Sequence, residues 1–343
     1  MFVIITFFLT MQYNYSIILM VILMKLITFE DIVNLNVSPK ECYSWVADCL
    51  KKKNECILPP KISIKPTTGV FCNVMPSLVK VDNKTYGGVK VVTRYPSRIP
   101  SLDSTILLFD ADTGEKLAFM DGNWITAMRT GAVAAHSINL LAKKNIKEIG
   151  IMGLGNTARA ALLSFLENLN NDNELNIKLL KYKKQEEQFA NQFSKYKNVK
   201  FLYVDTAEKL VENSDVIISA ATYLSDDVCK DNSLFKEGVL VVPIHTLGFT
   251  NCDLFFDKVF ADDYGHVKNF KYFDKFKSFS EVSDVLNGVK VGRENDKERI
   301  LVYNIGISIH DIYFAANIYK KMKDNKSLTD IDLKEPVEKF WIK

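Results

Sequence analysis

The sequence predicts an α/β fold, a doubly wound parallel sheet coupled to a second, α+β domain. Two observations carry this. After residue 145, short apolar runs alternate with helical ones: IKEIGIMG, NIKLLKY, VKFLYV, DVIISA, VLVVPI and KVFADD stand apart by helix-length segments or short loops. Before it, residues 61–109 hold consecutive β-rich runs separated by Pro, Gly and Asn. At 343 residues the chain is long enough for two cores and too long for one.

Taken in order, residues 1–23 carry no charge and approach the roughly 20 apolar residues that span a bilayer. Residues 12–16 interrupt the run, no basic residue precedes it, and no small-residue cleavage site follows. The segment is expected to be a dispensable extension outside the fold, with a membrane anchor as the alternative. Residues 27–52 show two helical runs, the second opened by Ser38-Pro39. KISIKP, GVFCNVMP, GGVKVVTRYP and STILLFD then read as a meander, and Asp112-Thr113-Gly114 as the turn of a hairpin between STILLFD and KLAFMD.

A helix follows from Gly122 to residue 141, dense in small residues (Ala127, Thr130, Gly131, Ala132, Ala134, Ala135) that admit the close approach of another backbone or a ligand. Further helices are expected over 157–169, 186–193 and AEKLVEN. A last one over 304–322 is expected to pack back on the first domain. The boundaries drawn are 24–122 plus 323–343 for the α+β domain and 123–322 for the parallel sheet.

Lys plus Arg (44) barely exceed Asp plus Glu (41), and no basic block is interleaved with aromatics, which disfavours nucleic acid and favours a small-molecule partner. The six cysteines show no CxxC spacing and the chain needs no disulfide staples, as expected of a reducing, cytoplasmic setting. The four histidines are dispersed, so no metal site is assigned.

Gly153-Leu154-Gly155-Asn156-Thr157-Ala158 follows the strand EIGIM and opens a helix, the G-x-G-x-x-A order of a Rossmann-type dinucleotide site. Gly153 permits the turn, Gly155 lets a pyrophosphate near the backbone, and Ala158 lets helix and strand pack closely. The acidic residue that ordinarily closes the second strand is absent. NIKLLKY ends at Tyr182 and runs into Lys183 and Lys184, which suit a 2′-phosphate, so NADP or NAD is expected; a solvated lysine patch is the bland alternative.

At this point the chain resembles the ornithine cyclodeaminase/mu-crystallin family. GGVKVV followed by Tyr95-Pro96, LLFDADTGEKLAFMDG, ITAMRTGAVAAHSINLLA, GLGNTA and GVKVGRENDKERILVYNIGISIHD carry the likeness. The resemblance implies a homodimer whose substrate and dimerisation domain, built from both chain ends, surrounds an inserted Rossmann domain. It implies hydride transfer between NAD(P) and the α-carbon of a small amino or imino acid. Residue by residue, it makes Lys90 the proton-transferring amine, Lys61 and Arg129 the ligands of the substrate carboxylate, and Ser101 a hydroxyl lining the pocket. Thr130, Asn156, Thr157 and Thr222 become cofactor contacts. Read without it, Lys90 is a solvated strand residue, whereas Arg129, among apolar and tiny neighbours, demands a partner.

One departure matters. Cyclodeaminating members of the family carry an aspartate after the strand corresponding to VLVVPI, where this chain reads His245-Thr246-Leu247. His245 is the candidate for that acid–base role, with a histidine capping a turn as the alternative. Three readings stay open: net redox chemistry by imine reduction or amino-acid dehydrogenation, cyclodeamination of ornithine to proline and ammonia, and a non-catalytic NADP-binding protein. The departure favours the first.

Overall fold

The computed structural model describes residues 23–169, 173–221, 224, 227–229, 231–244, 255–333 and 338–342. The uncharged leader up to residue 22, Thr222 and His245 lie outside them. No helix among the described residues is long and apolar enough to cross a membrane.

The chain opens with β1 (Met24–Ile27), α1 (Phe29–Asn34) and α2 (Pro39–Lys51). Local chemistry sets these boundaries. Thr28 and Asp31 form a reciprocal capping box at α1, while Ser38 caps α2 with Pro39 at its first position. Then come β2 (Ile62–Ile64), β3 (Phe71–Val81), β4 (Lys84–Arg94), β5 (Leu102–Asp110) and β6 (Lys116–Asp121). The β5–β6 hairpin turns where expected: Asp110 Oδ1 accepts from the backbone N–H of Asp112 (2.9 Å) and Thr113 (3.1 Å). The helix expected after Gly122 is α3 (Asn123–Leu141).

The remaining elements alternate: β7 (Glu148–Met152), α4 (Asn156–Glu167), β8 (Leu175–Leu180), α5 (Glu186–Gln192), β9 (Val199–Val204), α6 (Ala207–Val211), β10 (Val216–Ser219) and β11 (Leu240–Pro243). After them run β12 (Lys258–Ala261), α7 (Tyr264–Val267), β13 (Phe279–Glu281), α8 (Val282–Leu286), β14 (Ile300–Tyr303), α9 (Ser308–Met322) and β15 (Thr329–Ile331).

These strands form two sheets. One has seven strands in the order β15-β1-β6-β5-β4-β3-β2, antiparallel except where β1 runs parallel to β6. The other has eight strands, all parallel, in the order β13-β12-β14-β11-β10-β7-β8-β9. In the parallel sheet, alternate residues feed opposite faces: Val216, Ile218, Leu240, Val242 and Ile300 join one apolar core, Ile217, Val241, Val259 and Leu301 the other. The first of these cores also contains Ile106, Leu108 and Met120 of the mixed sheet, so both sheets share it.

Two helices bridge the sheets. α3 touches β5 on one side and β11 and α4 on the other; α9 lies on β3 and β4 and reaches α2 and α3. Their tight seating depends on small residues. A Cβ on Gly131 would stand 2.3 Å from the backbone carbon of Ala160 in α4, so the small-residue face of α3 admits a neighbouring backbone. On β4, a Cβ on Gly88 would stand 2.7 Å from Ile312 Cδ1 of α9.

Two departures from the sequence reading concern the later strands. The helix expected from residue 304 begins at Ser308, and the preceding ILVY forms β14, which inserts between β11 and β12. β14 is four residues long and wholly buried, and in so short a run periodicity does not separate strand from helix.

Candidate active site

The parallel sheet reverses its strand order between β7 and β10, and at that switch point the carboxyl ends of the strands leave a crevice. The glycine turn sits there. Gly153 has φ +79, and a Cβ on it would stand 2.5 Å from the carbonyl carbon of Ala220 at the end of β10. Nothing lies within 4 Å of a Cβ on Gly155, which caps α4 without a side-chain hydrogen bond. There is open space at the start of α4, where the first N–H groups lack partners within the helix, as a pyrophosphate needs, and Asn156 and Thr157 open that helix. Ala158 is fully buried against the sheet. These residues fit a dinucleotide.

Past the end of β8, Tyr182 is half exposed, and Lys183 and Lys184 both adopt positive φ (49 and 60). Lys181 pairs with Asp205 at 2.8 Å, whereas Lys183 lies over the Tyr182 ring, 5.1 Å from its centroid. The second-strand corner is thus basic and open.

The second half of the site is a buried charge cluster where the two sheets meet. Lys90 points from β4 to the face covered by α9 and is fully buried, the reverse of a solvated strand lysine. Its Nζ lies 2.7 Å from Asp311 Oδ1, an ion pair without the alignment of a directed hydrogen bond. Arg129 on α3 donates from Nε to the same oxygen at 2.9 Å. Lys61, just before β2, donates from Nζ to the carbonyl of Ile305 at 3.2 Å. Gly306, next in the chain, adjoins the Arg129 guanidinium.

Burial and the neighbouring positive charge bring the two lysines near the point of losing their protons. Burial first, then Arg129, push Lys90 down to about 7, with Asp311 opposing. The same causes bring Lys61 down to about 8. For Asp311, burial alone would raise the carboxyl, but Arg129 and Lys90 outweigh it and hold it below its usual range. An excess of positive charge in a poorly solvated recess suits the carboxylate of a small acid.

A second layer braces the cluster. Asp262, at the end of β12, accepts from Asn304 Nδ2 (2.8 Å) and the Gly306 N–H (3.2 Å), and Asn304 also donates to Ser137 on α3 (3.0 Å). Burial raises the Asp262 carboxyl. The Lys61 N–H donates to His266 Nε2 at 3.4 Å, while Nδ1 of that ring meets Asp263 Oδ2 at 2.7 Å. Asp263 in turn pairs with the buried Lys53 at 2.8 Å. Burial pushes His310 down to about 3, and neither ring nitrogen has a partner among the described residues, so it stays neutral beside the cluster.

Lys90, Arg129 and Lys61 are therefore brought together. Thr130, next to Arg129, spends its hydroxyl proton on the Thr126 carbonyl at 2.6 Å. Ser101 lies beyond the β4–β5 ladder, which ends at Arg94 and Leu102, and no described contact joins it to the charge cluster. Sequence reasoning missed Asp262, Asp263, His266 and Asp311. The signal was there for the first two, carboxylates closing a parallel strand, and for Asp311, the single carboxylate in the apolar body of its helix.

A sequence profile of the ornithine cyclodeaminase/mu-crystallin family matches residues 24–326. The chain belongs to that family. It is 28% identical over 256 residues to a Delta(1)-pyrroline-2-carboxylate reductase of Bacillus thuringiensis subsp. konkukian, covering 68% of this chain and 77% of that one. It is likewise 28% identical over 274 residues to the nodulation efficiency protein NfeD of Rhizobium meliloti, covering 76% and 83%. Among solved structures it is similar to Thermococcus litoralis Delta(1)-pyrroline-2-carboxylate reductase in complex with NADH and L-proline, with a TM-score of 0.77, 26% identity, and coverage of 90% and 100%. The chain is an NAD(P)-dependent enzyme of this family, transferring a hydride at the α-carbon of a small amino or imino acid.

Proposed function

We propose that this enzyme works chiefly as an imine reductase, taking a small cyclic or linear imino acid to the amino acid, with NADPH bound at least as tightly as NADH. The observation that carries the reading is Lys90, a buried amine brought to about 7 beside two further cations. As an ammonium it protonates the imine nitrogen, which leaves the α-carbon electrophilic, and it recovers its proton from water. When bound, the nicotinamide supplies the hydride. Arg129 has Nε committed to Asp311, which leaves Nη1 and Nη2 to grip the substrate carboxylate as a fork. Lys61 is the second cation for that carboxylate, and Ser101 a more distant wall residue.

Gly153, Gly155, Asn156, Thr157 and Ala158 would hold the pyrophosphate, with Tyr182, Lys183 and Lys184 at the adenosine end and Thr130 and Thr222 as further contacts. His245 remains the candidate acid–base group that replaces the cyclodeaminase aspartate. Cyclic imines, linear imines and ornithine, each supplied with cofactor, test the reading. Net NADPH consumption with imines should outpace ornithine turnover. Efficient formation of proline and ammonia without net cofactor change would make cyclodeamination the function.

For the assembly, we read a homodimer built on the mixed sheet, whose edge strand β2 exposes Ile62 (61%) and Ile64 (55%). The parallel-sheet domain is read as an insertion, 123–322, between 24–122 and 323–343. Because α9 rests on β3 and β4, its second boundary falls better just before Ser308. Free thiols at Cys42, Cys49, Cys56 and Cys72 accord with a cytoplasmic setting.

A further inference from the structure

We infer that Asp311 is the positioning residue of the reaction: its one bonded oxygen fixes Lys90 and Arg129 relative to each other and keeps Lys90 protonated until the substrate arrives. The inference rests on the imine-reductase reading of Lys90. Asp311 sits on α9, Lys90 on β4 and Arg129 on α3, so three elements of different chain regions converge on a single oxygen. Both cations are within 3 Å of it, at 2.7 and 2.9 Å. Asp311 is fully buried, and its second oxygen, Oδ2, has no hydrogen-bond partner among the described residues. A carboxylate serving stability alone would be better left with both oxygens bonded, because a buried unsatisfied charge is costly.

The charge does work that shape cannot. Arg129 and Lys61 both disfavour a proton on Lys90, as does burial, and Asp311 is the carboxylate in direct contact that opposes them. Of the other titratable groups facing the cluster, Asp262 opposes proton loss from Lys61, while its own carboxyl is raised by burial; His310 on α9 and His136 on α3 are held neutral by burial, and burial keeps the Cys49 thiol of α2 protonated. Without Asp311 the amine would lose its proton at lower pH. With it, Arg129 is also turned so that Nε faces inward and the terminal nitrogens stay uncommitted to the carboxylate.

Asp311→Asn preserves shape and an acceptor for Arg129 while removing the charge. In the full chain with NADPH and a cyclic imino acid, the limb on which kcat/KM falls as pH rises should move to lower pH by about one unit or more, while the affinity for NADPH stays unchanged. Asp311→Glu retains the charge and should keep the limb in place while raising KM, because Arg129 is displaced. If the Asn variant does not fold, the Glu variant decides alone: a limb displaced by a unit or more would overturn the proposal. An Asn variant that folds, binds NADPH and keeps the wild-type limb would overturn it equally. Lys90→Met separates this outcome from failure of the underlying reading. If that variant stays active, the limb never belonged to Lys90; if it is inactive, an unmoved limb in Asp311→Asn counts against Asp311 alone.

Discussion

Gly306 lies against Arg129 so closely that a Cβ at that position would stand 2.7 Å from Nη1. The glycine also adopts φ +75, which an L side chain rarely accepts. Gly306→Ala is expected to displace the guanidinium from its line to the substrate, raising KM for the imino acid about tenfold or more with little change in NADPH affinity. Steady-state kinetics with cofactor titration would check it, and an unchanged KM would separate the turn from the carboxylate site.

Lys90→Met keeps the length and apolar stem of the side chain and removes the proton-carrying amine. Turnover should fall by about two to four orders of magnitude, with cofactor binding nearly unchanged. Arg129→Lys should mainly raise KM, since a point charge cannot grip a carboxylate with two parallel bonds. Most activity surviving in the Lys90 variant would sink the assignment.

The depressed Lys90 fixes the direction of the pH dependence. Reduction needs the ammonium, so its rate should be full below about 7 and decline as pH rises through that value. Amino-acid oxidation needs the free amine and should rise across the same window. Initial rates in both directions between pH 5 and 9, at saturating cofactor, distinguish this from a single shared optimum.

On the proposed reading, Lys183 and Lys184 meet the 2′-phosphate of NADPH. Replacing both by Ser should weaken NADPH about tenfold and NADH much less, and salt should erode the wild-type preference because exposed charges are screened. Fluorescence titration of both cofactors reads this directly; a wild-type protein with a strong NADH preference would refute it.

A chain shortened to begin at Met24 retains β1, which pairs with β6 and β15. It should be as active and as heat-resistant as the full chain. Loss of either property would give the uncharged leader a role.

Much of the fold could be read in the sequence because its periodicities are long and its punctuation strong: Ser38-Pro39, Asp112-Thr113-Gly114 and the Gly153 turn each mark a boundary the structure keeps. β13, β14 and β15 were not, being runs of three or four residues whose strand character depends on neighbours far along the chain. The site divides the same way. Gly153 and Gly155 declare themselves by local order, and Arg129 by its unsuitable surroundings. Lys90 needed the family likeness, since its burial comes from α9, more than 200 residues later. Asp311 escaped because the partner demanded by Arg129 could have come from anywhere in the chain.

Arg129 and Gly131 stand two residues apart on α3, about 3 Å along its axis. One belongs to the buried charge cluster, and the other is pressed onto the backbone of α4, the helix that opens at the glycine turn. A single stiff rod therefore fixes the distance between the buried charge cluster and the glycine turn, which on the proposed reading are the substrate anchor and the nucleotide cradle. On that reading, changes of taste, towards larger, smaller or ring-closed acids, would then arise off this rod, in segments such as the chain leading to Lys61. Divergence could proceed there freely, because the spacing that hydride transfer depends on is set elsewhere.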